Sequence, residues 1–136
     1  MTITDLLIRH EGERLKAYTD TVGKLTIGCG HNLTDKGIPK DVSRMLLAGD
    51  IADAASDAMK FPWYPGLCEA RRAVILSMLF NLGLERFRGF VRFISAMIAA
   101  DYIQASAEML DSQWADQVGT RATDLAAMMQ TGEWIP

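Results

Sequence analysis

Apolar and polar positions follow a helical period over most of the chain, and one stretch near the N-terminus breaks that period. Thr2 and Asp5 resemble a capping box, and the apolar residues after them recur at helical spacing as far as Glu11. Gly12 then suits the left-handed turn that follows a helix. The pattern therefore predicts a first helix that ends at Glu11.

The period changes between residues 17 and 33. Leu25, Thr26 and Ile27 favour a strand, while Gly28 and Gly30 suit tight turns or close backbone approach. We expect a hairpin or a sheet of two or three strands here. So small a sheet is only marginally stable alone, so it must pack against helices. Residues 34–39 are predicted to form a loop.

Helical spacing returns at Pro39, a residue that suits a first helical turn. The pattern predicts helices over about 39–59, 69–82, 90–100, 102–111 and 121–130. The apolar residues of the first of these, among them Met45, Leu46, Ile51 and Met59, are expected to face the interior. The helix over 69–82 is apolar nearly all round, which is typical of a central, buried helix. Trp134 is expected to pack back on the bundle.

These elements predict an α+β fold that is mostly α, in one domain over residues 1–136. We expect a small N-terminal β-sheet lobe over 12–38 and a C-terminal helical bundle, with residues 1–11 docking onto residues 65–136. A long helix over about 39–60 joins the two lobes. The meeting of a helix end and a sheet predicts a concave corner, closed into a cleft between the lobes.

Composition and charge narrow the function. The chain is 49% hydrophobic and 23% charged, which is typical of a globular protein. Its net charge of −3 argues against nucleic acid as a partner, because nucleic-acid binding asks for a basic face. Cys29 and Cys68 lack metal-ligand spacing and are interpreted as reduced thiols, with a disulfide as the alternative.

No segment has the form of a signal peptide, and no apolar run reaches the roughly 18 residues of a membrane span. We therefore expect synthesis in the cytoplasm, no signal peptide and no stable insertion in a membrane.

Three residues near the corner are candidates for chemistry. Glu11 stands at the negative end of a helix, which opposes ionisation, and partial burial in a cleft would act the same way. Asp20 lies among polar turn residues and is expected to stay ionised, while Thr26 offers a hydroxyl that can hold a water. Two carboxyls in unlike environments are what glycoside cleavage requires. The alternatives are a solvated surface glutamate and an aspartate that only forms its turn.

The segment from Glu11 to His31 closely resembles the active-site segment of phage-type lysozymes, the family of the T-even phage lysozyme and many endolysins. The shared pattern is E-G-x-R-L-x-A-Y-x-D-x-x-G-x-x-T-I-G-x-G-H. The likeness continues over nearly the whole chain, at Arg71–Ala73, at Phe80–Gly83, from Ser112 to Ala122, and at Thr131–Trp134.

This resemblance implies a lysozyme-like fold and a peptidoglycan hydrolase of phage-induced host cell lysis. The bond cleaved would be the β-1,4 link between N-acetylmuramic acid and N-acetylglucosamine, with inversion. Glu11 would protonate the leaving oxygen, and Asp20 with Thr26 would activate the attacking water. Inversion needs carboxyls roughly 6.5–9.5 Å apart. No metal and no cofactor are implied.

The resemblance also implies residues that support the active site. Arg121 stands where the family has an arginine reaching Glu11, and we expect it to fix the direction of that carboxyl. Gln117 is expected to be braced in the same network. His31 and Asp50 match a family pair that would tie the sheet lobe to the long helix.

Four residues stand at positions that the resemblance assigns to substrate binding: Gly30, Asn32, Phe80 and Asn81. The family example has leucine where Asn32 stands. Asn81 is also expected to bond the Trp114 indole. Core filling is the alternative for Phe80 and Trp114. Phe93 and Glu108 depart from the family example, which has serine and asparagine there.

Rival functions remain open on the sequence. One is a non-catalytic peptidoglycan-binding module on the same fold, and another is a plain helical interaction domain. A third is an enzyme for another amino-sugar polymer such as chitin. As a lysozyme, the chain is expected to be a monomer that reaches the cell wall (periplasm) through a pore-forming partner, a holin.

Overall fold

The computed structural model describes residues 1–136 and is mostly helical, with one three-stranded sheet near the N-terminus. The strands are β1 Arg14–Thr19, β2 Leu25–Gly28 and β3 His31–Asn32. The nine helices are α1 Ile3–Glu11, α2 Leu33–Lys36, α3 Lys40–Ala58, α4 Glu69–Leu82, α5 Leu84–Arg88, α6 Val91–Ile98, α7 Tyr102–Leu110, α8 Gln113–Val118 and α9 Thr120–Thr131. This content confirms the predicted fold class, α+β and mostly α. None of the helices combines the length and the apolar character that crossing a bilayer requires.

The chain forms two compact units, residues 1–46 and residues 47–136, and the division falls within α3. The first unit holds α1, the sheet and α2, and the second holds α4 to α9. How residues 1–11 dock onto the helical bundle stays a prediction, as does the cleft between the predicted lobes.

Helix α1 begins with the predicted capping box. The Thr2 hydroxyl accepts from the Asp5 backbone N–H at 3.1 Å, and the Asp5 carboxylate accepts from the Thr2 backbone N–H at 2.9 Å. The hydroxyl of Thr2 also donates to that carboxylate, and these hydrogen bonds lower the pKa of Asp5. The start of the helix is therefore held by local polar bonds rather than by packing, because α1 buries no residue.

The sheet is antiparallel, with β2 in the centre and β1 and β3 on its flanks. Thr26 on β2 pairs with Tyr18 on β1 and with Asn32 on β3. The sheet's three strands agree with the expectation of two or three. The loop predicted over 34–39 is partly wrong, because Asn32 accepts from the Asp35 backbone N–H at 2.9 Å and so caps the short helix α2.

The second unit is built around α4, as its all-round apolar pattern predicts. Six residues of this helix are buried: Ala70, Val74, Ile75, Met78, Leu79 and Leu82. Helix α9 packs on α4 and α7, and α6 packs on α7. At one end of this core the Phe87 ring meets Phe61 and Phe93 edge-on, with ring centroids 5.2 and 6.0 Å apart.

Two expectations about burial are wrong. Met45 on α3 and Met59, which directly follows it, are 73% and 60% exposed. The apolar residues of this helix are spread around its circumference rather than gathered on one stripe. Trp134 is 57% exposed and does not pack back. Two short helices, α5 and α8, also form where no helix was predicted, since five or six residues are too few to display a period.

The contrast between two phenylalanines tests this assignment of the core. Phe87 is fully buried, whereas Phe80 is 53% exposed. Phe87→Ala should lower the free energy of unfolding by about 3–5 kcal/mol through lost burial and a residual cavity. Phe80→Ala, the same chemical change at the surface, should lower it by less than about 1 kcal/mol. Urea unfolding of both variants measures this, and equal losses would contradict the assignment.

Candidate active site

Glu11 is the last residue of α1. Gly12 ends the helix with φ 73°, and its N–H reaches the Ile8 carbonyl. Glu11 is exposed, so the partial burial expected from the sequence is not seen. Its carboxylate nevertheless lies over the β2–β3 turn, because a Cβ placed on Gly30 would stand 3.7 Å from Glu11 Oε2.

Asp20 immediately follows β1 and shapes the turn into β2. Its Oδ1 accepts from the backbone N–H of Val22 at 3.0 Å and of Lys24 at 2.8 Å. Asp20 therefore forms its turn through Oδ1, as the alternative interpretation of this aspartate predicted. The second carboxylate oxygen, Oδ2, has no hydrogen-bond partner in the protein and remains free to accept a proton.

Thr26 is 97% buried in the centre of the sheet, with only 3% of its surface exposed. Its hydroxyl donates to the Lys24 carbonyl at 3.0 Å. With its own proton committed, the hydroxyl oxygen still has lone pairs to accept a hydrogen bond from a water.

The backbone of Lys24 joins Asp20 to Thr26, and sequence reasoning missed this residue. Its N–H donates to Asp20 Oδ1, and its carbonyl accepts from both the Asp20 N–H, at 2.8 Å, and the Thr26 hydroxyl. The side chain of Lys24 turns elsewhere and pairs with Asp35 at 3.1 Å. A role carried by backbone groups leaves no side-chain signal in the sequence. One hint is that Asp20 and Thr26 are six residues apart on either side of a turn.

The two candidate residues on β3, His31 and Asn32, already use their side chains in hydrogen bonds within the first unit. Nε2 of His31 lies 2.6 Å from the Gly37 carbonyl, and since a carbonyl can only accept, that nitrogen carries the proton. Asn32 donates its amide to Asp35 Oδ2 at 2.9 Å while capping α2. A sugar contact by Asn32 would therefore have to share or replace these bonds. Gly30 has φ 79°, so only glycine fits this turn without strain.

In the second unit, the predicted bond between the Trp114 indole and Asn81 is confirmed, with Nε1 donating to Oδ1 at 3.0 Å. Trp114 is buried, as the core-filling interpretation held. The same interpretation is wrong for Phe80, which is 53% exposed. Phe80 and Asp50 line the same concavity of about 350 Å³, together with Asp53 and Asp57.

Gln117 is exposed on α8 and lines a larger groove beside Trp114. Arg121 is exposed in the first turn of α9. The predicted support of Glu11 by Arg121, and the pairing of His31 with Asp50, join residues of different units and stay predictions. Both cysteines are free thiols. No group of three or more histidine, cysteine, aspartate or glutamate side chains is placed to hold a metal.

Comparisons with known proteins agree on one family. A family model described as phage lysozyme matches residues 8–129. The chain is 30% identical to an endolysin of Acyrthosiphon pisum secondary endosymbiont phage 1, over 92% of the chain and 86% of that protein. It is 25% identical to probable T4-type lysozyme 1 of Dictyostelium discoideum, over 96% of the chain and 95% of that protein.

A further relative is much longer than the chain. The pre-baseplate central spike protein Gp5 of Enterobacteria phage T4 is 28% identical over 97% of the chain, but the chain spans only 28% of that protein's length.

Two substitutions at Asp20 separate its turn-forming bonds from its charge. Asp20→Asn keeps an oxygen that can accept from the Val22 and Lys24 amides, so the free energy of unfolding should change by less than about 1 kcal/mol. Asp20→Ala leaves both amides without that acceptor and should cost roughly 1–2 kcal/mol. Thermal or urea unfolding distinguishes them. Equal stability of the two variants would show that these bonds do not hold the turn.

Proposed function

The chain belongs to the phage lysozyme family, and on this premise we propose that it is a peptidoglycan hydrolase. The bond it cleaves is the β-1,4 link between N-acetylmuramic acid and N-acetylglucosamine. Glu11, Asp20 and Thr26 carry the reaction, and the endolysin and lysozyme names of the relatives support the substrate class.

Glu11 acts as the general acid. Its carboxyl lies at the C-terminal end of α1, beside Gly30 in the β2–β3 turn, and acts in its protonated form. The proton passes from the carboxyl to the glycosidic oxygen as the bond from that oxygen to the anomeric carbon breaks. The leaving sugar departs as an alcohol, and Glu11 becomes a carboxylate.

Asp20 acts as the general base on the other side of the bond. Its unpartnered Oδ2 takes a proton from a water that also donates to the Thr26 hydroxyl oxygen. The oxygen of that water bonds to the anomeric carbon from the face opposite to the leaving group. The proton taken by Asp20 balances the one given by Glu11, and the configuration at carbon is inverted.

The observation that carries this proposal is that Glu11 and Asp20 approach the two ends of β2, the strand that carries Thr26. Glu11 approaches Gly30 just beyond the end of β2, and Asp20 bonds to Lys24 just before its start. The strand steps between Lys24 and Gly28 span roughly 13 Å at about 3.3 Å per residue. Contact points this far apart support inversion, which needs room for a water between the carboxyls, over the roughly 5–5.5 Å spacing of retaining enzymes.

The proposed substrate lies in the cell wall, so the chain must also reach the wall. We infer that the chain acts on the cell wall as a monomer and reaches it through a membrane pore made by another protein. Gly30, Asn32, Phe80 and Asn81 remain our candidates for contacts with the polymer, and Arg121, Gln117, His31 and Asp50 remain candidates for supporting the site.

Reducing-end release from purified peptidoglycan tests the proposal. Glu11→Gln keeps the size of the side chain but cannot give up a proton as an acid, so the rate should fall on the order of 10²–10⁴-fold while binding to the wall persists. Asp20→Asn should cause a loss of similar order.

Glu13→Gln is the matched control, because Glu13 is an exposed glutamate two residues further along the chain. It should digest the wall at the normal rate. A wild-type chain that binds peptidoglycan but releases no reducing ends would identify a non-catalytic binding module instead. Unchanged release by Glu11→Gln would exclude the glutamate as the acid.

A further inference from the structure

The peptide group between Lys24 and Leu25 makes hydrogen bonds through both of its ends. Its carbonyl, that of Lys24, accepts from the Asp20 backbone N–H at 2.8 Å and from the Thr26 hydroxyl at 3.0 Å. Its N–H, that of Leu25, donates to the Thr34 hydroxyl oxygen at 2.8 Å. Because Thr34 lies on α2, this one peptide group connects the candidate active site to that short helix.

The geometry of a peptide group couples its two ends. The group is planar, because its C–N bond has partial double-bond character, and every peptide bond of the structure is trans. In a trans peptide the N–H and the carbonyl point in opposite directions, so an acceptor that fixes the Leu25 N–H also fixes the Lys24 carbonyl. Without the Thr34 hydroxyl the plane is free to rotate, and the carbonyl then turns away from Asp20 and Thr26.

Helix α2 is itself fixed to the sheet, so Thr34 stands on a stable support. The side chain of Asn32 on β3 accepts from the Asp35 backbone N–H and donates to the Asp35 carboxylate, both at 2.9 Å. The Lys24 ammonium adds a second link from the Asp20 turn to α2, through Asp35 at 3.1 Å. That ion pair is exposed to solvent and contributes little. The Thr34 hydroxyl is therefore the main connection between α2 and the peptide group.

We propose that Thr34 is a positioning residue for water activation and that it acts through the Lys24–Leu25 peptide group. While that group is fixed, the Thr26 proton stays on the Lys24 carbonyl, and the lone pairs of the Thr26 hydroxyl stay available to a water. The same carbonyl fixes the backbone of Asp20. The inference rests on the proposed function for the roles of Asp20 and Thr26, and it gives Thr34 no contact with the substrate.

The kinetics of three variants test the inference. Thr34→Val removes the acceptor and keeps a β-branched side chain, Thr34→Ala removes it with a residue that favours a helix, and Thr34→Ser keeps the hydroxyl. In reducing-end release from soluble peptidoglycan, Thr34→Val and Thr34→Ala should lower kcat about tenfold and leave KM within about twofold, because a displaced catalytic group costs rate rather than binding. Thr34→Ser should keep kcat within about twofold of the wild type, since its hydroxyl can accept the same hydrogen bond.

Thr131→Val is the matched control. Thr131 is an exposed threonine in the other compact unit, and its hydroxyl also accepts from a backbone N–H, that of Glu133 at 3.2 Å. The control should keep the kcat and the KM of the wild type, and urea unfolding should show all four variants folded.

Amide hydrogen exchange tests the coupling without any reaction. The Asp20 N–H lies across the peptide group from Thr34, since it donates to the Lys24 carbonyl. Its exchange, followed by NMR, should be roughly fivefold faster in Thr34→Val than in the wild type, because the carbonyl that protects it is no longer fixed. Exchange in Thr34→Ser should stay close to that of the wild type.

An unchanged kcat in Thr34→Val would overturn the inference, as would an equal loss in Thr34→Ser or in Thr131→Val. A loss that appears in KM rather than kcat, or unchanged exchange of the Asp20 amide, would overturn it as well. These outcomes are separate from the proposed function. A wild-type chain that releases reducing ends no faster than Thr34→Val loses only the role of Thr34, whereas a wild-type chain that releases none loses the proposed hydrolase activity.

Discussion

The candidate active site depends on the hydrogen bonds made by the backbone of Lys24. Its N–H fixes one oxygen of Asp20, and its carbonyl fixes both the backbone of Asp20 and the hydroxyl of Thr26. A single residue thereby sets the position of a carboxylate and the direction of a hydroxyl proton. The free oxygen of Asp20 and the lone pairs of Thr26 are what remains, and these are the groups that a water-activating site needs.

The two compact units are stabilised by different forces. In residues 47–136 a continuous apolar core surrounds α4, and long side chains such as Met78 and Phe87 are fully buried. In residues 1–46 the only buried residue is Thr26, and the elements are held by caps, turns and strand pairing. A unit built on exposed backbone hydrogen bonds opens locally at lower free energy than one built on a packed core. The candidate catalytic residues Glu11, Asp20 and Thr26 therefore lie in the unit that opens more readily.

Local chemistry explains which parts of the fold could be predicted. The Thr2 capping box, Gly12 after α1 and the all-round apolar α4 act within a few residues of themselves, so their signals survive in the sequence. The inward face of α3 could not be predicted, because its apolar residues are spread around the helix and only tertiary packing selects among them. Helix α2 was also missed, although the Asn32-to-Asp35 spacing that caps it is visible in the sequence.

The candidate site divides in the same way. Glu11, Asp20 and Thr26 could be predicted because their side chains form a recognisable pattern in the sequence. Lys24 could not, because it acts through its backbone N–H and carbonyl, which every residue has. The groove beside Trp114 could not be predicted for a different reason. Two of its lining residues, Arg86 and Asp111, are 25 positions apart in the sequence, and only the packing of α5 to α8 places them around one cavity.

The stereochemistry of the first product tests the central claim most directly. If Asp20 activates a water rather than attacking the sugar itself, the new reducing end must first appear as the α anomer. Proton NMR during the first minutes of digestion of purified peptidoglycan, before the anomers equilibrate, measures this. We expect α-anomer signals that grow first and then decay toward equilibrium. A β anomer formed first would contradict it, because retention proceeds through a covalent glycosyl-enzyme intermediate and not through direct attack by water.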